Sequence, residues 1–283
     1  MTEKLIALID GSIYSKSVCE NAAWISKRTG APVELLHVMG RRETPSSDLS
    51  GTIALGARTA LLQELASLDE QRARLAQKRG RAILEDGEAI LRAAGVETVT
   101  SRLRQGDLLE AVAEAEPGSR GIVIGKRGEA ADFASLHLGS NLERIARSAT
   151  KPVFVAARAF RPIAKVLIAY DGGPSAMKAV DHMARAPLFA GLDIRLLTVG
   201  NESADLQRRL ESAQATLRAG GHEASIEIAA GQPEKIIAEV IERDGIDLLV
   251  MGAYGHSRIR ALIIGSTTAE MMRSCKVPVV LFR

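Results

Sequence analysis

Lys4-Leu5-Ile6-Ala7-Leu8-Ile9-Asp10-Gly11-Ser12 and Lys165-Val166-Leu167-Ile168-Ala169-Tyr170-Asp171-Gly172-Gly173 are two versions of one phrase, each opening one half of the 283-residue chain. Both are near-continuous apolar runs that end in an aspartate and a glycine turn. A strand with one wet face would alternate apolar and polar residues, so an unbroken run predicts a parallel strand covered on both faces. The residues downstream repeat in the same way. Helical segments follow at Ser15 to Thr29 and Ser175 to Ala190, then second strands at 33–38 and 193–199. Gly106-Asp107-Leu108 and Gly231-Gln232-Pro233 introduce helices at 108–116 and 234–244, and fourth strands follow at 121–125 and 247–252. Each half closes with a helix and a strand, Pro152–Val155 and Pro278–Phe282. The order β-α-β-α-β-α-β-α-β, read twice, implies parallel strands with right-handed crossovers. The expectation is an α/β protein of two tandem doubly wound, Rossmann-like domains with five-stranded parallel sheets, at 1–158 and 163–283.

The two copies differ in size. The chain runs 68 positions from Val38 to Gly106 but only 32 from Val199 to Gly231, which places a helical insertion at about 41–80. Within it Leu61, Leu65, Leu68 and Leu75 recur at helical spacing, with Glu64, Asp69, Glu70, Arg72 and Arg74 between them. A single helix from Ala57 to Ala94 would be roughly 57 Å long at about 1.5 Å per residue. Gly80 and Gly87 are weak points in it, so a break near Gly80, or two helices, is expected. The segment reads either as an arm that binds a partner or forms a dimer, or as an elongated crossover helix lying on its own sheet.

Composition narrows the function. Aromatic residues make up only 3% of the chain, too few for the stacking platforms that hold single-stranded nucleic acid. A formal net charge of +3, with the basic residues dispersed, gives no footprint for a nucleic-acid partner. The start of the chain reads as a strand and not a signal peptide, and no apolar stretch approaches the roughly 18 residues of a membrane span. Cys19 and Cys275 are isolated, one in each half, so neither a disulfide frame nor a thiolate metal site is expected and a reducing cytoplasm is the default.

The chemistry concentrates after the fourth strand of the second copy, in Met251-Gly252-Ala253-Tyr254-Gly255-His256-Ser257-Arg258 and then Gly265-Ser266-Thr267-Thr268. The spacing is G-x2-G-x9-G-S. Glycines just past a parallel strand let the backbone approach a ligand at the carboxyl end of the sheet. The Gly265–Thr268 stretch opens a helix whose free amides and dipole favour an anion. Asp171 ends the first strand across the same crevice and can accept a hydrogen bond from a purine amino group or a ribose hydroxyl. His256 and Arg258 lie inside the loop, as phosphate contacts or as solvated side chains. The pattern is not a P-loop, because no G-x4-G-K-[ST] follows either first strand. A Gly252→Val substitution is expected to crowd the phosphates and abolish ATP binding while leaving the fold intact.

The strand-end aspartate and the G-x2-G-x9-G-[ST] motif, with a Pro-Val-Val strand after them, resemble the universal stress protein family in its tandem two-domain form. The resemblance spans essentially the whole chain. It implies an adenine-nucleotide site with Asp171 and Val199 near the adenine and Met251 and Gly252 near the ribose and phosphates. Gly255, Gly265, Ser266 and Thr268 would surround the triphosphate, commonly with Mg²⁺. It further implies a stress-induced, ATP-binding cytoplasmic protein whose last strands pair, here Pro152–Val155 beside Pro278–Phe282 within one chain. The first copy departs from the motif: Gly125-Lys126-Arg127-Gly128 is followed by Gly139-Ser140 after ten residues, one more than the family spacing. Asp10 and Val38 match the base-side positions. Glu129 and Asp132 would repel phosphate and Lys126 and Arg127 would attract it, so the residues leave a second nucleotide site open. Three functions compete. The first is a regulatory module that binds ATP without rapid turnover, with an unidentified protein partner and a homodimer both compatible; the second is a slow ATPase; the third is an interaction protein with a vestigial or different pocket.

Overall fold

A computed structural model describes residues 3–40, 55–128, 140–253 and 264–283. The first half contains β1 (Lys4–Leu8), α1 (Ser15–Thr29), β2 (Val33–Met39), α2 (Leu55–Ala93), β3 (Val99–Gln105), α3 (Leu108–Ala115), β4 (Ser119–Gly125), α4 (Ser140–Ser148) and β5 (Val153–Ala156). The second contains β6 (Lys165–Ala169), α5 (Pro174–Arg185), β7 (Asp193–Val199), α6 (Ala204–Ala219), β8 (Ala224–Ala229), α7 (Pro233–Asp244), β9 (Leu248–Gly252), α8 (Ser266–Ser274) and β10 (Val279–Phe282). The ten strands form one sheet in the order β3-β2-β1-β4-β5-β10-β9-β6-β7-β8. Each half is a five-stranded parallel sheet, and the two are joined antiparallel through β5 and β10, with Val280 opposite Phe154. Two doubly wound units therefore share one sheet.

The opening phrases sit as their composition requires. In β1 and the residue after it, Leu5, Ala7 and Ile9 enter the core on one face of the sheet while Ile6 and Leu8 enter the core on the other. In β6, Val166 and Ile168 take the first face and Leu167 the second. A continuous apolar run thus divides by the strand's period of two between two covered faces. The first core gathers side chains of α1, α2, α5 and α6, and the second those of α3, α4, α7 and α8. Equivalent helices of the two halves lie on the same face while their strands run oppositely, so the halves are related by an approximate two-fold axis normal to the sheet. The carboxyl ends of the two parallel sets, where such folds bind ligands, consequently lie at opposite edges.

Two sequence expectations are revised. The helix expected to run to Ala190 stops at Arg185 and is followed by a 3₁₀ turn, Pro187–Phe189, because proline cannot continue an α-helical ladder. Trp24, partly buried, packs against the first core, and the Arg28 guanidinium carbon lies 5.5 Å from the centre of its ring. Arg28 also donates to the carbonyls of Leu188 and Ala190 across the boundary between the halves.

The second revision concerns α2, a single helix of 39 residues, about 58 Å long at about 1.5 Å per residue. Gly80 and Gly87 do not break it; they are where it meets the sheet. A Cβ on Gly80 would stand 2.7 Å from Leu103 Cδ1, and one on Gly87 would stand 2.8 Å from Ile9 Cδ1 and 3.0 Å from Leu35 Cδ1. Both glycines trade some helix propensity for close backbone approach to β1, β2 and β3. From Gly80 onward the helix buries Leu84 and Leu91. Over 61–79 no described side chain is buried, and Leu62, Leu68 and Leu75 are 51%, 43% and 65% exposed.

Two cations tie each half to the last helix of the other. Lys126, just past β4, donates to the Cys275 carbonyl at the end of α8, and Arg283 donates to the Arg147 carbonyl in α4 at 2.8 Å. A positive charge at a helix C-terminus meets unpaired carbonyls and the negative end of the dipole.

Candidate functional site

In the second unit the sheet order reverses between β6 and β9, which opens a crevice past their carboxyl ends. Ala169 pairs in register with Leu197 of β7 and with Met251 of β9. Two residues further on, Asp171, Val199 and Ala253 reach the mouth of the crevice on three adjacent strands, with Gly252 beside Ala253. Thr198 Oγ1 donates to the Tyr170 carbonyl at 2.6 Å and locks the β7 end to the β6 end. In the first unit His37 takes the same place, its Nδ1 donating to the Ile9 carbonyl at 2.8 Å. The Asp171 carboxylate accepts from the Gly173 amide at 2.8 Å, which fixes the turn into α5.

The two glycine clusters of the motif are bonded to each other. Gly265 N donates to the Ala253 carbonyl at 3.3 Å and Thr268 Oγ1 donates to the Gly252 carbonyl at 3.0 Å. Thr268 is buried, so its hydroxyl proton braces the motif from within. Ser266 is exposed and Thr267 half-buried in the first turn of α8, and no side chain caps that terminus. The uncapped first-turn amides therefore carry the positive end of the helix dipole at the strand ends. Met251 is buried beneath them. Gly255, His256 and Arg258 lie outside the described residues.

Gly252 is required for a different reason from the one the motif implies. A Cβ there would stand 2.9 Å from Ser175 Cβ and 3.2 Å from the Ala176 amide nitrogen. The glycine lets β9 pass the start of α5, so Gly252→Val collides with the fold before it could crowd a phosphate. Gly125 repeats this in the first unit, where a Cβ would meet Tyr14 Cβ at 2.7 Å.

The first unit brings Asp10, Val38 and Lys126 together by the same register. Lys126 is buried and donates to Cys275 instead of facing the crevice, and burial pushes its ammonium below the usual lysine range. The Asp10 carboxylate lies 2.8 Å from where a Cβ on Gly128 would stand. A negative charge thus occupies the ground beside the loop. Gly139 lies outside the described residues, and Ser140 begins α4.

One site residue was not visible in the sequence. Arg209 of α6 brings Nη1 to 3.4 Å from the Cβ position of Gly172, and its Nε pairs with Asp205 at 2.9 Å. In the first unit that ground belongs to Ile83 of α2, 2.8 Å from the Cβ position of Gly11. One glycine turn is overlain by a cation and the other by an apolar side chain. The helical spacing of α6 carries Arg209 to this position, and no local motif marks it.

Among the described residues no three His, Cys, Asp or Glu side chains converge as a metal site. A Mg²⁺ ion keeps several waters and is commonly held through substrate phosphates with few protein ligands. At the start of α8 the Ser266 and Thr267 hydroxyls are the oxygen donors that could complete the shell of such an ion. No described helix is long and apolar enough to cross a membrane.

Two doubly wound α/β units in one sheet, with a bare helix N-terminus bonded back to a strand-end glycine beside the crevice, define a tandem Rossmann-like protein. The sequence model of the universal stress protein family matches residues 1–157 and 200–283, and the chain belongs to that family. It is 37% identical to the universal stress protein Slr1230 of Synechocystis sp. (strain ATCC 27184 / PCC 6803 / Kazusa) over 286 residues, covering 99% of this chain and 100% of that one. Among solved structures it is similar to a universal stress protein of Archaeoglobus fulgidus DSM 4304, at a TM-score of 0.76 and 21% identity over 100% of this chain and 99% of that one. A functionally unknown protein of Pseudomonas aeruginosa PAO1 aligns at a TM-score of 0.60 and 15% identity, over 99% and 92% of the two chains. The structural likenesses speak to the fold.

Proposed function

We propose that the second unit binds ATP, with Mg²⁺ carried on the phosphates, and that the protein is a cytoplasmic stress-response module that changes its interactions with the nucleotide state without rapid turnover. The observation that carries this reading is the pair of bonds from Gly265 and Thr268 to Ala253 and Gly252. They hold the uncapped start of α8 against the strand ends, opposite Asp171. Anionic phosphates would lie on the α8 amides, and the base would lie between Asp171 and Val199. Arg209 adds a positive charge at the Gly172 turn.

Rapid hydrolysis needs a positioned base and metal-holding carboxylates. At this end of the sheet Asp171 accepts from a turn amide and Asp205 pairs with Arg209, so both carboxylates are already engaged. In the first unit Asp10 beside Gly128 and the diversion of Lys126 disfavour phosphate, so one nucleotide per chain is expected. Nucleotide released on denaturing the purified protein, together with calorimetric titration of the wild type and of Asp171→Ala, tests the reading. A stoichiometry near one that is lost or strongly weakened in Asp171→Ala supports it. No binding by the wild type would overturn it, and product formation with Mg²⁺-ATP at ordinary enzymatic rates would make the protein an ATPase.

A further inference from the structure

The stretch 61–79 of α2 has no function in the nucleotide reading, and none of its described side chains is buried. Leu61, Leu65, Leu68, Arg72, Leu75 and Arg79 follow one another at steps of four and three, the spacing of a coiled-coil seam. Most helical stability in proteins comes from packing of an apolar face, and here Leu62, Leu68 and Leu75 are exposed and Leu61 and Leu65 half-buried, a run of leucines and not scattered single residues. With Leu65 as position a, the seam is Leu61, Leu65, Leu68 and Leu75, and the g positions on its flank are Glu64, Gln71 and Lys78.

Charge selects the occupant. In an antiparallel pair a positions face d positions and g positions face g positions. A second copy centred on residue 70 brings Leu65 against Leu75, and Arg72 against Leu68 and Asp69. On the flank it brings Glu64 against Lys78 and Gln71 against Gln71. By symmetry the Glu64–Lys78 pair forms twice. A parallel pair would leave no g-position acid opposite a base, because the e positions are Leu62, Asp69 and Ala76. Leu62 against Ala76 widens the apolar seam in the antiparallel pair. The Arg72 stem covers apolar surface while its guanidinium group stays largely exposed beside Asp69.

We infer that α2 is a dimerisation arm, on which a second copy of this chain docks antiparallel through residues 61–79. The two sheets then sit at opposite ends of the helix pair, and both nucleotide crevices stay open.

Sedimentation equilibrium of the full chain tests this. The wild type is expected at twice its 30.2 kDa mass at micromolar concentration, and Leu68→Glu/Leu75→Glu at the single-chain mass. Both side chains are exposed, so the double variant keeps its circular dichroism and urea midpoint. Orientation is read by mixing Glu64→Cys protein with Lys78→Cys protein: the mixture cross-links under oxidation and neither variant does so alone. In a parallel pair the two positions lie roughly 21 Å apart at about 1.5 Å per residue. A monomeric wild type, or a dimer indifferent to Leu68→Glu/Leu75→Glu, would overturn the assignment. Cross-linking of either single variant with itself would overturn the antiparallel register.

Discussion

Gly252→Ala separates two reasons for a glycine in a nucleotide motif. If the residue is there to clear a phosphate, a methyl group weakens ATP binding and leaves stability alone. If it is there to let β9 pass α5, the methyl stands 2.9 Å from Ser175 Cβ and 3.2 Å from the Ala176 amide nitrogen. Neither atom is the far end of a flexible side chain, so backbone must shift. Overpacking of a close-packed site costs about 1–3 kcal/mol. At a urea dependence of about 3 kcal/mol/M, that moves the unfolding midpoint down by about 0.3–1 M. Ser175→Gly removes the nearer contact and by itself costs about 0.5–1 kcal/mol as a glycine in a helix. The double variant should then lose less than the sum of the single variants, with a coupling of about 1 kcal/mol, above the roughly 0.3–0.5 kcal/mol within which independent sites add. Urea titrations of the four proteins, each paired with an ATP titration, give the answer. Strict additivity, or lost ATP affinity at an unchanged midpoint, would refute the packing argument.

Gly87→Ala should lower stability by about 1–3 kcal/mol, although alanine is the better helix former by about 1 kcal/mol, because the new methyl would stand 2.8 Å from Ile9 Cδ1; a gain in the urea midpoint would contradict the close approach. Asp107→Ala should cost about 1 kcal/mol, the usual value of a lost N-cap, since Asp107 accepts from the Leu109 and Glu110 amides and pairs with Arg144. The Arg144 hydrogen bond and the cap hold this carboxyl below the ordinary aspartate range. Its contribution is therefore complete above about pH 4 and fades as pH falls through the depressed value, so the wild-type and Asp107→Ala midpoints should converge in acid. Burial pushes the Cys19 thiol up to about 12. Native protein should thus resist alkylation at Cys19 at pH 8, and prompt modification there would contradict the packing around α1. The raised thiol is also a stability statement. Unfolded chains release that proton above about pH 8.5 while folded ones hold it, so stability declines with pH above that point, and Cys19→Ala should flatten the decline.

Much of the architecture was legible because it rests on local periodicity. The runs at 4–10 and 165–171 could only be strands covered on two faces, and the glycine turns after them could only sit at the carboxyl ends of parallel sheets. The G-x2-G-x9-G-S spacing carried the crevice for the same reason, since strand, turn and helix are contiguous in the chain. What could not be read was any property set by residues distant in sequence. Lys126 looked like a phosphate ligand from its neighbours, yet its partner is Cys275, 149 positions away. Gly80 and Gly87 looked like helix breaks, because propensity sees the helix and not the β2 and β3 side chains beneath it. Arg209 had no signal at all.

The sequence by itself determined two α/β units, their strand order along the chain, the place of the phosphate-type turn and the unequal size of the copies. Each of these follows from apolar period, turn chemistry and spacing within a few tens of residues. The pairing of the last strands, implied by the family resemblance, holds as β5 beside β10; the tertiary structure decided that α2 is a single uninterrupted helix and that the two crevices differ in what overlies their glycine turns. Those outcomes depend on which surfaces meet once the chain is compact, where a contact of a few tenths of an ångström can change a residue's role.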